Sequence, residues 1–152
     1  MLEKVVALRN RENSVNEFLS AIHQGVPSAV FGVSDAFKNY LVSTIDEPVL
    51  YIVKDGLTAV AAENAIKELT AKKTVVLPEK DETLMITRAF SKDGIYKRIR
   101  AAKDISDADV IITTAAALMQ ILPKSIKTLT LTRGQTATRE DVVAFLDRKS
   151  VV

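Results

Sequence analysis

Residues 109–123, DVIITTAAALMQILP, contain the transition from which the architecture of this chain can be inferred. The β-branched run from Asp109 to Thr113 is continuous and not alternating, which is typical of a strand buried on both faces. The following residues, 114–122, predict a helix that ends at Pro123, because proline cannot continue a helix. A buried strand that leads directly into a helix is typical of a parallel α/β unit.

Three similar runs precede this one. The predicted strands are Ser28–Val33 (SAVFGV), Val49–Val53 (VLYIV), Thr74–Leu77 (TVVL) and Asp109–Thr113 (DVIIT). Further helices are predicted at about 14–25, 35–45, 57–71 and 92–103. Alternating strands and helices predict βαβ crossovers, and therefore a three-layer α/β domain with a parallel sheet and helices on both faces.

Eight apolar residues of these strands are predicted to form the core of the sheet. They are Val30, Val33, Leu50, Ile52, Val75, Val76, Ile111 and Ile112. Residues 79–91 lack clear periodicity and are predicted to form a long connection that crosses the carboxyl edge of the sheet.

The pattern changes near residue 124, where a domain boundary is predicted. Ile126–Thr132 alternates polar and apolar residues, as a strand with one solvated face does, and Thr138 is placed to cap a short helix. Domains below about 40 residues need extra support, so residues 125–152 are too few to bury their own core. We interpret residues 1–124 as an α/β domain and 125–152 as the incomplete beginning of a second domain.

Composition excludes several classes of protein. The net charge of the 152 residues is only +2, which does not indicate a protein that coats nucleic acid. The sequence contains no cysteine, so it has neither a disulfide framework nor thiolate chemistry. No apolar run approaches the roughly 18 residues of a membrane helix. These features together predict a soluble cytoplasmic protein with no membrane partner.

One stretch, residues 30–43, has the layout of a phosphate-binding loop, GxxxxGK[ST], that has lost essential groups. Gly32 and Lys38 are kept, but Phe37 stands in place of the second glycine. Asn39 replaces the Ser or Thr whose hydroxyl binds magnesium. A working loop needs amide groups, lysine and hydroxyl around the phosphates, so we predict that nucleotide binding is lost.

Three other features bear on this prediction. Phe37 would need a positive φ and would place its ring where phosphate lies, while Asp35 adds a negative charge to the loop. The run DVIITT ends in Thr113 and Thr114, where a nucleotide hydrolase would carry a metal-binding acid. A coincidental match to a short motif remains the alternative to a degenerate loop.

A basic run near residues 88–103 would offer phosphate contacts to a nucleic acid. Its members are Arg88, Lys92, Lys97, Arg98, Arg100 and Lys103. The favoured interpretation is a solvated helix face paired with Asp93 and Asp104, because only Tyr96 offers an aromatic ring for stacking. The single histidine, His23, is interpreted as a polar residue at a helix end, and no catalytic or metal-binding constellation is found.

Six blocks in collinear order resemble the amino-terminal module of the transcription-repair coupling factors, which is itself similar to the damage-recognition protein UvrB. The blocks are AIHQGVPSAVFGVSDAFKNYLVS, VLYIVKDGLTAVAAENAIKEL, VVLPEKDET, SKDGIYKRIRAAKDI, ADVIITTAAALMQILP and LTLTRGQTATREDVVAFL. The resemblance covers most of the chain, and ADVIITTAAALMQILP with the later GQ is its strongest part.

The resemblance implies a helicase-like P-loop fold of the UvrB domain 1 type whose degenerate loop serves a noncatalytic scaffold. The parent factors are bacterial ATP-dependent DNA translocases that release stalled RNA polymerase and recruit UvrA for nucleotide excision repair. Their ATP and Mg²⁺ sites lie in a motor outside the equivalent of these residues. The second domain, which begins at about Ile126, is implied to bind UvrA and to be masked by the carboxyl-terminal region of the same chain.

The chain departs from the family after DVVAFL, where a GY corner and strands with UvrA-contacting arginines are expected but DRKSVV follows. The expectation is therefore a fragment, with weak residual partner contacts. The residues available for them are Arg133, Gln135, Arg139 and Arg148. The alternatives are a small nucleotide-binding P-loop enzyme and an unrelated Rossmann-like binding domain, although GxGxxG is absent.

Overall fold

The computed structural model describes residues 13–80, 92–122 and 129–147. The chain divides into two compact units, residues 1–120 and 121–152. The elements of the first unit are α1 Asn13–His23, α2 Asp35–Thr44, β1 Val49–Val53, α3 Gly56–Leu69, β2 Thr74–Leu77, α4 Lys92–Asp104, a short 3₁₀ turn Ile105–Asp107, β3 Val110–Thr114 and α5 Ala115–Met119. The second unit contains α6 Arg139–Asp147.

The described strands form a parallel sheet with the order β1-β3-β2, so the strand that leads into α5 lies in the centre. Leu50 and Val75 both lie opposite Ile111 in the register. The crossovers from β1 to β2 and from β2 to β3 run in opposite directions, so right-handed connections place α3 and α4 on opposite faces. The α/β class and the parallel sheet predicted from the sequence are thus confirmed.

The main core lies between the sheet and helices α2 and α3. Its buried members are Val42, Val53, Ala59, Ala62, Ile66, Val110 and Ile112. Small alanines on α3 allow this helix to approach the strands closely, and Ile66 fills the remaining space with no exposed surface. A smaller cluster, Val15, Leu19 and Leu41, joins α1 to α2 as the helical periodicity predicts.

The predicted strand Ser28–Val33 is wrong, because these residues pair with no described strand. Gly32 has φ +71, a left-handed conformation that interrupts an extended run. Val30 is half exposed and Phe31 is 89% exposed. A β-branched composition was therefore insufficient here, since a strand also requires an edge to pair with.

The predicted sheet core is correct only in part. Val75 and Ile112 are buried, and Val33, Val76 and Ile111 are half-buried. Val30, Leu50 and Ile52 are exposed. Leu50 and Ile52 lie on the face of β1 opposite the α2 and α3 core, and α4 covers this face over β2.

In the second unit, Thr138 caps α6 as predicted: its Oγ accepts a hydrogen bond from Asp141 N at 3.1 Å. The described part of the predicted strand Ile126–Thr132, residues 129–132, is not a strand, which corrects that prediction. The remainder of this stretch, and residues 81–91 of the predicted long connection, lie outside the described residues.

Candidate functional site

The loop before α2 uses its hydrogen-bonding groups internally. Ser34 is the N-cap of α2, and its Oγ accepts a hydrogen bond from Phe37 N at 3.3 Å. The backbone carbonyl of Ser34 accepts from Lys38 N at 3.0 Å. Amide groups of a first helical turn are the donors that an anion would use. In this chain the Phe37 N–H already donates to the Ser34 hydroxyl oxygen.

The lysine of the loop is paired with an acid of the same loop. Lys38 Nζ donates to Asp35 Oδ1 at 2.9 Å. This hydrogen bond and the opposite charge raise the pKa of Lys38 and lower the pKa of Asp35. The negative charge that a phosphate would bring to Lys38 is thus supplied by Asp35, which a phosphate would have to displace or tolerate nearby.

Phe37 does not occupy the phosphate position, contrary to the sequence-based expectation. It lies within α2 and packs half-buried against the cluster of Val15, Leu19 and Leu41. Among the described residues no residue other than glycine has a positive φ, so Phe37 needs no left-handed backbone. Its function in this structure is to attach α1 to α2 through apolar contact.

Asn39, the residue in the position of the magnesium-binding hydroxyl, is buried, with 8% of its surface exposed. Lys38 and Asn39 are adjacent in the helix, so their side chains project in different directions. Lys38 remains at the surface beside Asp35. The structure therefore does not bring Gly32, Phe37, Lys38 and Asn39 together around a common open space.

A second polar cluster lies at the carboxyl ends of β2 and β3, where the sequence lacked the expected acid. Thr113 Oγ donates to Leu77 O at 3.1 Å, within the sheet. Thr114 Oγ donates to Glu79 Oε1 at 2.5 Å and accepts from Ala117 N at 3.1 Å. A carboxylate is thus present at this edge, but it comes from the segment after β2, at the start of the predicted long connection of residues 79–91.

Arg98 completes this polar cluster and corrects its assignment to a solvated basic face. It is 8% exposed, and its guanidinium donates to the carbonyls of Pro78, Ala117 and Gln120 at 2.5, 3.1 and 3.3 Å. Burial lowers the pKa of Arg98. The arginine therefore joins the segment after β2 to the end of α5, through charge-assisted hydrogen bonds to backbone carbonyls of both.

Gln120 reinforces the same connection. Its Oε1 accepts from Lys80 N at 2.7 Å, and its Nε2 donates to Lys80 O at 3.3 Å. Together with Arg98, Thr114 and Glu79, these bonds form what we call the edge network. A guanidinium beside backbone carbonyls and a carboxylate bound to a hydroxyl are suited to holding two segments in place.

The remaining members of the basic run are placed differently. Arg100 and Lys103 are exposed on α4, whereas Arg88 lies outside the described residues and nothing is described of the Lys92 side chain. Lys97 is exposed as well. The run is therefore not a continuous basic surface, since Arg98 in its middle faces the interior.

Four residues were predicted to make weak partner contacts, and the structure describes three of them. Arg133 and Arg139 are exposed. Gln135 is engaged within its own turn, because its Oε1 accepts from Thr132 N at 3.2 Å and from Thr132 Oγ at 3.1 Å. Arg148 lies outside the described residues.

His23 is the last residue of α1 and hydrogen-bonds to Glu47 through Nδ1. This exposed contact connects α1 to the segment between α2 and β1. In the described ranges, no three His, Asp or Glu side chains converge as metal ligands. No helix within the described parts of the chain combines the length and apolar character needed to cross a bilayer.

No protein family, curated protein or solved structure matches this chain.

Proposed function

We propose that this chain is a noncatalytic scaffold module of a bacterial transcription-coupled DNA repair factor. The observation that carries the loss of nucleotide binding is the contact between Lys38 and Asp35 in the degenerate loop. The connection to repair rests on the resemblance of the six sequence blocks to the coupling factors. On this proposal UvrA is the partner of the second domain, while RNA polymerase, DNA, ATP and Mg²⁺ are engaged by the motor of the parent protein.

The scaffold role is supported by how the polar groups of the sheet edge are used. Ser34 caps the helix that a phosphate would approach, and Asp35 pairs with the lysine. Arg98 and Gln120 bind backbone groups across the edge. Groups committed to internal bonds stabilise one arrangement of the loops, which suits a docking domain.

The alternative, a small nucleotide-binding P-loop or Rossmann-like enzyme, has less support. Such an enzyme would need a lysine free to meet phosphate and an acid free to hold a metal. Lys38 is paired with Asp35, and Glu79 is bonded to Thr114.

The decisive experiment measures strand-specific repair in the source bacterium after ultraviolet damage. Deletion of the gene that encodes this chain should abolish the faster repair of transcribed strands, and the unaltered gene should restore it. The variant Lys38→Ala should restore it equally, because the loop is proposed to bind no nucleotide. Unchanged repair after deletion would refute the proposed role in transcription-coupled repair. If Lys38→Ala folds but does not restore the repair, the proposal that the loop binds no nucleotide is refuted.

A further inference from the structure

β1 presents an open edge in the described part of the chain, where it pairs only with β3. Val49 N donates to Asp109 O at 2.8 Å, so the polar groups of Val49 face β3. Because successive residues of a strand alternate in direction, the N–H and C=O groups of Leu50 and Ile52 face away from β3. These groups are positioned to accept a further strand.

The side chains along this edge are apolar and accessible. Leu50 is 51% exposed and Ile52 is 53% exposed, on the face opposite the α2 and α3 core. Residues 49–53, VLYIV, include no charge or proline. Natural edge strands often prevent pairing with another chain by carrying a charged residue or a proline, and residues 49–53 carry neither.

We propose that β1 of one chain pairs antiparallel with β1 of a second copy, about a two-fold axis beside Tyr51. In this register Leu50 lies opposite Ile52 of the second copy, and Ile52 lies opposite its Leu50. Both residues have outward-facing backbone groups, so each of these positions forms a hydrogen-bonded pair of an antiparallel ladder. The four apolar side chains then meet on the same face as cross-strand pairs.

The charges beside β1 favour a second copy over an unrelated strand. Asp46 and Glu47 precede the strand, and Lys54 follows it. All three are exposed. An antiparallel two-fold arrangement brings Lys54 of each chain toward Asp46 of the other, while Asp55 is engaged as the N-cap of α3 and Glu47 bonds to His23 of its own chain.

The resulting dimer is weak. A five-residue strand covers a small surface, and contacts well below the usual size of about 800 Å² per partner typify transient association. The mass should therefore depend on protein concentration, rising from 16.6 kDa toward twice that value as the chain is concentrated.

Sedimentation equilibrium over a range of concentrations tests this dimer. Ile52→Lys introduces a charge at the edge and should keep the chain monomeric at every concentration. Val60→Lys is the matched control, because Val60 on α3 is similarly exposed, at 51%, and should leave the dimer intact. A monomeric unaltered chain, a dimeric Ile52→Lys chain, or loss of the dimer in Val60→Lys would each overturn the proposal.

Cross-linking tests the register independently of any effect of lysine on folding. The natural chain has no cysteine, so Leu50→Cys and Ile52→Cys each introduce a single thiol. Hydrogen-bonded antiparallel pairs hold Cα atoms about 5.5 Å apart, within disulfide range. Mixing the two variants under mild oxidation should yield a disulfide-linked dimer much faster than either variant alone. Equal rates in all three samples would reject the register.

Discussion

Lys38 Nζ lies 2.9 Å from Asp35 Oδ1, so the lysine in the first turn of α2 is paired with a carboxylate one helical turn earlier. Both side chains are exposed, and the pairing raises the pKa of Lys38 and lowers that of Asp35. A phosphate that approached Lys38 would meet this carboxylate at close range. The geometry thus places an electrostatic obstacle to phosphate binding beside Lys38.

We predict that the chain does not bind Mg-ATP. Isothermal titration should show no heat of binding. The Phe37 N–H already donates to Ser34 Oγ, and the Lys38 ammonium already donates to the Asp35 carboxylate. Asp35→Ala should also show none, since removal of the acid does not restore the lost glycine and hydroxyl. Micromolar affinity for Mg-ATP in the natural chain would contradict this prediction. If only Asp35→Ala bound Mg-ATP, the Asp35 carboxylate alone would be what prevents binding in the natural chain.

The buried Arg98 is predicted to be important for stability. Arg98→Ala removes the guanidinium hydrogen bonds to the carbonyls of Pro78, Ala117 and Gln120, and should lower the free energy of unfolding by about 2 to 4 kcal/mol. Arg100→Ala, at an exposed position on the same helix, is the control and should stay within about 0.5 kcal/mol. Urea denaturation followed by circular dichroism measures both, and equal losses would show that the edge network contributes little.

The register of β3 leads to a prediction about its two adjacent isoleucines. Ile112 is fully buried against α2 and α3, so Ile112→Ala should cost about 2 to 5 kcal/mol. Ile111 is only half-buried, and Ile111→Ala should cost less than Ile112→Ala although the sequence alone assigns both to the core. Chemical denaturation of the two variants measures the order of the losses, and the reverse order would mean that the faces of the sheet are assigned incorrectly.

Asp55 is expected to make the stability of α3 depend on pH. Its carboxylate caps the helix by accepting from Thr58 N at 2.7 Å, and this hydrogen bond lowers the pKa of Asp55. A lowered folded pKa means that the stabilisation is complete above the ordinary aspartate pKa of about 3.9 and is lost as the pH falls through the folded value. Thermal melting should show this acid-side decrease.

The matched variant for that prediction is Asp55→Asn. Asparagine also caps helices but does not titrate, so its contribution should persist at low pH. The difference in melting temperature between the natural chain and Asp55→Asn should therefore change as the acid range is entered. A constant difference across the whole pH range would exclude Asp55 as the titrating group.

A final prediction concerns UvrA, under the proposed function. The 152-residue chain should bind UvrA weakly or not at all, while a form extended through the further strands of the family's second domain should bind it. Arg133 and Arg139 are exposed, but two arginines and one short helix are a small surface for a specific interface. Surface plasmon resonance on both forms gives the answer, and equal affinity would locate the contact within the 152 residues that both forms share.

Local patterns were sufficient to predict most of the regular elements. The continuous runs at Val49–Val53 and Thr74–Leu77 are strands because β-branched side chains suit a pleated, buried environment. Thr138 begins α6 because its oxygen satisfies a free helix amide. Such information lies within a few neighbouring residues, which is why the sequence contains it.

The candidate site depended on contacts that no local pattern encodes. Arg98 belongs to a basic run by composition, yet it is buried because the carbonyls of Pro78 and Ala117, about twenty residues away on either side, converge on it. Phe37 was expected to block phosphate, yet its ring packs toward α1 instead. Side-chain direction and partner identity follow from how the elements pack, and packing joins residues distant in the chain.

The amino-acid sequence alone was enough to determine the α/β class and the Thr138 cap of α6, because these depend on residue type and short spacing. The tertiary structure determined which apolar runs become strands and which faces are covered. Val30 and Leu50 are as apolar as Val110, yet they are exposed and Val110 is buried. Val110 is buried because it has a strand on each side and helices packed against it. Burial depends on neighbours in space, and only the folded chain supplies them.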